Sequence, residues 1–180
     1  MQKSKQAPPS PFAAALRMLA RRPYSVAELR QALQRKFGSS GPVREALARL
    51  RQLGYLDDRK FAEHYAASLV QNRAFGRYRV RRELKAKLVD YRQIDPALEQ
   101  AYQDADEHEL LARTLTLKLR TLRLPLTPAK LASLCRSLLR RGFRADDIIK
   151  AVRERTELRP VADDAELSGL EEEERKNSEL

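Results

Sequence analysis

Apolar residues through the central part of the chain recur three and four positions apart, the spacing of a buried helix face. Phe12, Leu16 and Leu19 form the first such set. They follow Ser10 and Pro11, an N-cap with proline at the first helical position. Ser25 and Glu28 have the spacing of a capping box, and the helix they open carries Leu29, Ala32, Leu33 and Phe37 before Gly38 ends it. After Ser39-Ser40-Gly41, Pro42 opens a third helix bearing Val43, Ala46, Leu47, Leu50 and Leu53, stopped by Gly54. The period-two alternation of a half-buried strand is almost absent.

This unit recurs. Opening helices align as Phe12/Leu16/Leu19, Phe61/Tyr65/Leu69 and Leu111/Leu115/Leu119. Middle helices run through Leu29/Leu33/Phe37, Val80/Leu84/Leu88 and Leu131/Leu134/Leu138. Closing helices share Val43-x-x-Ala46-Leu47, Ile94-x-x-Ala97-Leu98 and Ile148-x-x-Ala151-Val152. Asp95-Pro96 and Thr127-Pro128 repeat the cap-then-proline pattern. Three elements recurring in one order at a near-constant offset predict an all-α fold of three tandem three-helix repeats. Small units bury little surface alone and lean on their neighbours, so an elongated, curved array is expected. The predicted divisions are a loose basic arm at 1–9, repeats at 10–56, 57–105 and 106–157, and a disordered acidic tail at 158–180.

Composition sharpens this reading at one point, the charge. The chain of 180 residues has a formal net charge of +11. Residues 157–180 hold nine acids against three bases, so the remainder carries +17. The densest basic stretch is residues 73–92, with eight bases against Glu83 and Asp90. Arg77, Arg79, Arg81, Arg82, Lys85 and Lys87 lie on the middle helix of the second repeat, and Arg77, Arg81 and Lys85 share a face. Arg136, Arg140, Arg141 and Arg144 form a second cluster in the third repeat. A basic stripe along the middle helices suits a phosphate backbone or an acidic protein groove.

No catalytic or metal-ligating constellation is found, and no cofactor is expected. His64 and His108 have no ligand partner at metal spacing. Cys135, the sole cysteine, sits among leucines and reads as a buried structural thiol. No apolar run is long enough to span a membrane or to serve as a secretory signal. A cytoplasmic, monomeric binding protein that is not an enzyme is therefore expected.

Gly54-Tyr55-Leu56-Asp57-Asp58, followed by Phe61-Ala62, resembles the signature of the RecX family, bacterial regulators of the RecA recombinase. Arg22-x-x-Ser25-x-x-Glu28-Leu29 and Leu138-Leu139-Arg140-Arg141-Gly142-Phe143 are also similar to that family. The chain departs from the family pattern at Phe75-Gly76-Arg77 and Lys87-Leu88-Val89, where the family has a Gly-Pro and a helix-ending glycine. The residues themselves read the signature as a joint: Gly54 takes a left-handed turn, Tyr55 and Leu56 pack across it, and Asp57 or Asp58 caps the next helix. The resemblance implies three helical repeats that dock in the groove of the RecA–DNA filament. It implies inhibition of strand exchange, ATP hydrolysis and co-protease activity, with consequences for repair and the SOS response. Contact with single-stranded or duplex DNA, directly or through the filament, is left open. A direct DNA-binding protein with helix-turn-helix-like units is the alternative reading.

Overall fold

The computed structural model describes residues 10–38, 41–103, 105–155, 158 and 169–178. The expected basic arm, the Ser39-Ser40 loop and most of the acidic tail lie outside them. Among the described residues there are ten helices and no strand. The first unit is α1 (Pro11–Leu19), α2 (Val26–Phe37) and α3 (Gly41–Gln52). The second is α4 (Asp58–Arg73), α5 (Arg77–Ala86) and α6 (Tyr91–Ala101). The third is α7 (Glu107–Leu119), α8 (Pro128–Leu139) and α9 (Ala145–Arg153), joined by a tenth helix, α10 (Gly169–Ser178).

Each unit has its own core, built from the faces that the periodicity marks. Leu29, Leu33 and Leu50 are fully buried in the first, Val80 and Leu84 in the second, and Leu115, Leu131 and Leu138 in the third. The protein is thus three tandem three-helix repeats in an elongated, curved array. Short helices of nine to sixteen residues cannot hold themselves in water, so these cores supply their stability.

Side-chain caps fix where the helices begin. The Ser10, Ser25, Asp57 and Thr127 side chains accept backbone N–H groups of the first turns of α1, α2, α4 and α8. Asp95-Pro96 does not cap a helix. The Asp90 side chain accepts Arg92 N–H and starts α6 one turn earlier, leaving Pro96 inside the helix. As the sixth helical residue, Pro96 forgoes the N–H bond to the Arg92 carbonyl, and α6 continues through it.

Leu88 also departs from expectation. It was grouped with Val80 and Leu84 on the buried face, yet it is 43% exposed with φ +57. It adopts the left-handed turn that a glycine would ordinarily take at a helix end, and Val89 enters the core in its place.

The C-terminal segment is a correction of larger scope. An unstructured tail from residue 158 was expected because of its charge. Instead Leu158 is fully buried, and α10 lies against α8 and α9 with Leu170 only 3% exposed. The Glu174 carboxylate accepts Ala145 N–H at the start of α9. Leu170 and the Glu174 cap seat a helix that is otherwise acidic. Deleting residues 169–180 is therefore expected to lower stability by about 2 kcal/mol or more, from the lost burial of Leu170 and the lost cap. Urea unfolding checks this, and an unchanged midpoint would mean that the helix contributes nothing.

Candidate functional site

The signature Gly54–Asp58 lies between α3 and α4. Gly54 has φ +75 and reverses the chain after α3. Leu56 drops into the first core. Asp57 caps α4, and Asp58 reaches back across the joint, its Oδ1 accepting Val26 N–H at 2.8 Å. Tyr55 does not pack across the joint as expected. It is 59% exposed, at the edge of a cleft of about 380 Å³ that Tyr24, Phe61, His64 and Tyr65 also line.

α5 carries the densest charge, and most of that charge is compensated within the chain. The Arg77 guanidinium pairs with Glu107 at 3.4 Å and lies over the Tyr102 ring. Arg79 pairs with Glu83 at 2.6 Å, and Arg81 pairs with Asp95 at 2.6 Å. Lys87 pairs with Glu28 at 3.3 Å. Among the described residues, Arg82 and Lys85 make no ion pair.

These pairs reveal what α5 does. Its C-terminal end meets the first unit, where Ser25 Oγ donates to the Lys87 carbonyl at 2.5 Å and Lys87 Nζ donates to Glu28. Burial opposes ionisation of Glu28, but its hydrogen bonds to Arg22 and Lys87 outweigh that and hold the carboxyl below its ordinary value. The N-terminal end of α5 meets the third unit. Gly76 N–H donates to the Arg141 carbonyl at 2.9 Å, Tyr78 N–H to the Gly142 carbonyl at 3.3 Å, and Arg77 N–H to Glu107 Oε1 at 2.8 Å. Burial pushes the Glu107 carboxyl up, against the pull of the Arg77 N–H and guanidinium. Gly76 and Gly142 are in backbone contact, and a side chain on either would overlap the other segment. A helix about 15 Å long therefore touches both neighbouring units. The sequence presents α5 as a stripe, whereas the folded chain uses it as a strut.

The second predicted cluster is also divided. Arg141 donates to the Arg73 carbonyl at 2.7 Å, and Arg144 lies 3.5 Å from Asp146. Arg136 and Arg140 are exposed and make no ion pair among the described residues. Sequence reasoning counted Arg73 in the basic stretch without assigning it to the site, and missed Arg113, Lys118 and Lys130. These four lie at the end of α4, on α7 and on α8, and line two clefts of about 410 and 270 Å³ that share Lys118 and Thr121. Arg113 and Lys118 belong to an opening helix and are separated by five positions, and Lys130 is a lone base in the first turn of α8, so no local cluster marks them.

His108 Nδ1 lies 3.7 Å from Asp147, linking α7 to α9. Cys135 is fully buried, and burial pushes its thiol up to about 11, so no thiolate nucleophile forms near neutral pH. Among the described residues, no cluster of three metal-ligating side chains is found and no helix is long and apolar enough to cross a membrane.

Comparison with known proteins adds to this geometry. The family descriptions "RecX, first three-helix domain" and "RecX, second three-helix domain" match residues 12–50 and 57–98. The chain is 38% identical over 140 residues to Regulatory protein RecX of Chlorobaculum tepidum, covering 77% of this chain and 84% of that one. It is 39% identical over 98 residues to Regulatory protein RecX of Trichlorobacter lovleyi, covering 54% of this chain and 64% of that one, slightly under two thirds of its length. The crystal structure of RecX from Lactobacillus salivarius superposes with a TM-score of 0.62 at 22% identity, over 80% of this chain and 93% of that one. A second structure, titled as regulatory protein RecX, gives 0.66 at 19% identity, over 81% of this chain and 70% of that one.

Proposed function

The chain belongs to the RecX family of regulatory proteins, and we propose that it binds the RecA nucleoprotein filament in its helical groove and restrains it. The activities restrained are strand exchange, ATP hydrolysis and co-protease function, so DNA repair and the SOS response are affected. What supports the reading is the row of three units locked through α5. A rigid, curved row meets successive subunits of a helical partner without paying again for ordering of the units at docking. Among the described residues, Arg82 and Lys85 on α5, Arg136 on α8 and Arg140 at its C-terminal cap make no ion pair, and of the predicted stripe these are the cations that would face the filament. Of the predicted stripe, Arg77 acts first on the joint with the third unit, and Arg81 on α6 of its own unit.

Co-sedimentation with RecA–single-strand–nucleotide filaments, set against bare single-stranded and duplex DNA over a salt series, tests the reading. Filament affinity is expected to exceed that for bare DNA by at least about tenfold. Equal affinities would favour a direct DNA-binding protein and overturn the proposal. The triple variant Arg82→Ala/Lys85→Ala/Arg140→Ala is expected to weaken inhibition of strand exchange and flatten the salt dependence, with no change in urea midpoint.

A further inference from the structure

The first unit has an open groove of about 360 Å³ between its middle and closing helices, α2 and α3. Arg30 reaches it from α2, and Arg44 and Arg51 reach it from α3. Among the described residues, these three arginines are exposed and make no ion pair, and no carboxylate lines the groove. This contrasts with α5, where four of six bases have an acidic partner. Val43, Leu47 and Ala48 supply the apolar lining. Arg44 and Arg51 are two helical turns apart, so they stand about 10 Å from each other on one face of α3, with Leu47 and Ala48 between them. The groove is therefore an apolar strip edged by cations. At one end it reaches the start of α3, where Gly41 lines it with nothing within 4 Å of the place a Cβ would take.

The third unit shows what such a pair of helices can seat. There the corresponding middle and closing helices, α8 and α9, carry α10. That helix is acidic, sets Leu170 into the core, and places the Glu174 carboxylate on Ala145 N–H at the start of α9. The first unit offers the matching parts in its open groove: an apolar strip, an accessible start of the closing helix, and three arginines besides.

We propose that the α2–α3 groove binds an acidic amphipathic helix of a partner protein. A leucine on the apolar stripe of that helix lies against Leu47 and Ala48, and its burial excludes water from the strip. Glutamates on either side of the stripe meet Arg30 across the groove and Arg44 and Arg51 along it, where a guanidinium fork takes a carboxylate through two bonds. Charge complementarity disfavours a basic or neutral partner. The apolar strip favours polypeptide over nucleic acid, whose phosphate backbone has no apolar side chain to place there. The inference goes beyond the filament reading and does not rest on it, since the groove belongs to the first unit alone and its test contains no RecA.

Anisotropy of a labelled peptide of about eighteen residues, long enough for a helix to form in water, measures binding to the full chain. Its leucines occupy one stripe and its glutamates flank them. Arg30→Ala/Arg44→Ala/Arg51→Ala is expected to weaken binding about tenfold. Ala48→Glu, at an exposed position on α3, puts a carboxylate in the groove and is expected to weaken binding at least as much. Arg21→Ala/Arg35→Ala/Lys36→Ala removes the same charge from outside the groove and is expected to change affinity less than about twofold. A peptide of equal charge with serines in place of the leucines is expected to bind about tenfold more weakly. No saturable binding, unchanged affinity in either groove variant, an equal loss in the outer control, or equal binding of the serine peptide would each overturn the proposal. So would an oligothymidylate whose affinity falls as much as the peptide's in the groove arginine variant, which would assign the groove to nucleic acid.

Discussion

Gly142→Ala is expected to lower stability by about 3 kcal/mol or more and to disconnect the third unit from the second. Two effects combine at this position. Gly142 has φ +91, a conformation that costs a side-chain-bearing residue about 1–3 kcal/mol. Its Cα also faces the Arg79 amide and Cβ so closely that an added methyl overlaps them. Relieving that overlap pushes α5 away and breaks the bonds from Gly76 N–H and Tyr78 N–H to the Arg141 and Gly142 carbonyls. Overpacking of this kind costs about 1–3 kcal/mol. Gly38→Ala is the control, since Gly38 has φ +79 but nothing within 4 Å of the new methyl. It carries the conformational cost alone. Urea unfolding of both variants separates the two effects, and equal losses would show that contact with α5 adds nothing.

The other end of the strut has a comparable weak point. Ser25→Ala is expected to cost about 2–4 kcal/mol, more than an ordinary cap. Ser25 is fully buried, and its hydroxyl makes two bonds at once. The Oγ accepts Glu28 N–H at 3.0 Å, which caps α2, and donates to the Lys87 carbonyl, which closes α5 onto the first unit. Loss of a cap costs about 1 kcal/mol, and a buried acceptor left without a partner adds about 1–3 kcal/mol. Asp58→Ala removes the neighbouring bond to Val26 N–H and is expected to cost about 1–3 kcal/mol. Both residues hold the start of α2, so the double variant should depart from additivity. Additive losses would mean that Ser25 and Asp58 act on separate parts of the structure.

The helices and their cores are legible in the sequence because burial imposes a local rule. Leu29/Leu33, Val80/Leu84 and Leu134/Leu138 occur at helical spacing, and the structure buries all six. Caps are equally local, which is why Ser10, Ser25, Asp57 and Thr127 are readable. Asp95-Pro96 misleads because the same two residues also fit the first turns of a helix already begun. The fate of the charges is not local. Nothing around Arg81 in the chain announces Asp95, and nothing near Lys87 announces Glu28, fifty-nine residues away. A count of bases therefore finds the charge-rich helix but not which charges remain free. The unpaired set on α7 and α8 becomes visible only when Arg73 and Arg141 are brought beside Arg113 and Lys118. The same holds for α10, where four consecutive glutamates mask one anchoring leucine, Leu170.

α5 as a strut accounts for several otherwise unrelated features. It explains why Arg77 and Lys87 have partners in the neighbouring units, why two glycines meet at Gly76 and Gly142, and why Ser25 is buried with no water-facing role. It also relates the signature to shape, since Asp58 of the second unit holds the start of α2 beside that helix's own cap, Ser25.

The distance between the outer units tests this most directly. Spin labels at Gln52→Cys and Ala129→Cys, in a Cys135→Ser background, report the separation of the first unit from the third by electron–electron double resonance. One narrow distance distribution is expected for the parent, and a broad one for Arg77→Ala/Arg79→Ala/Lys87→Ala. A broad distribution in the parent, or an equally narrow one in the triple variant, would contradict the account.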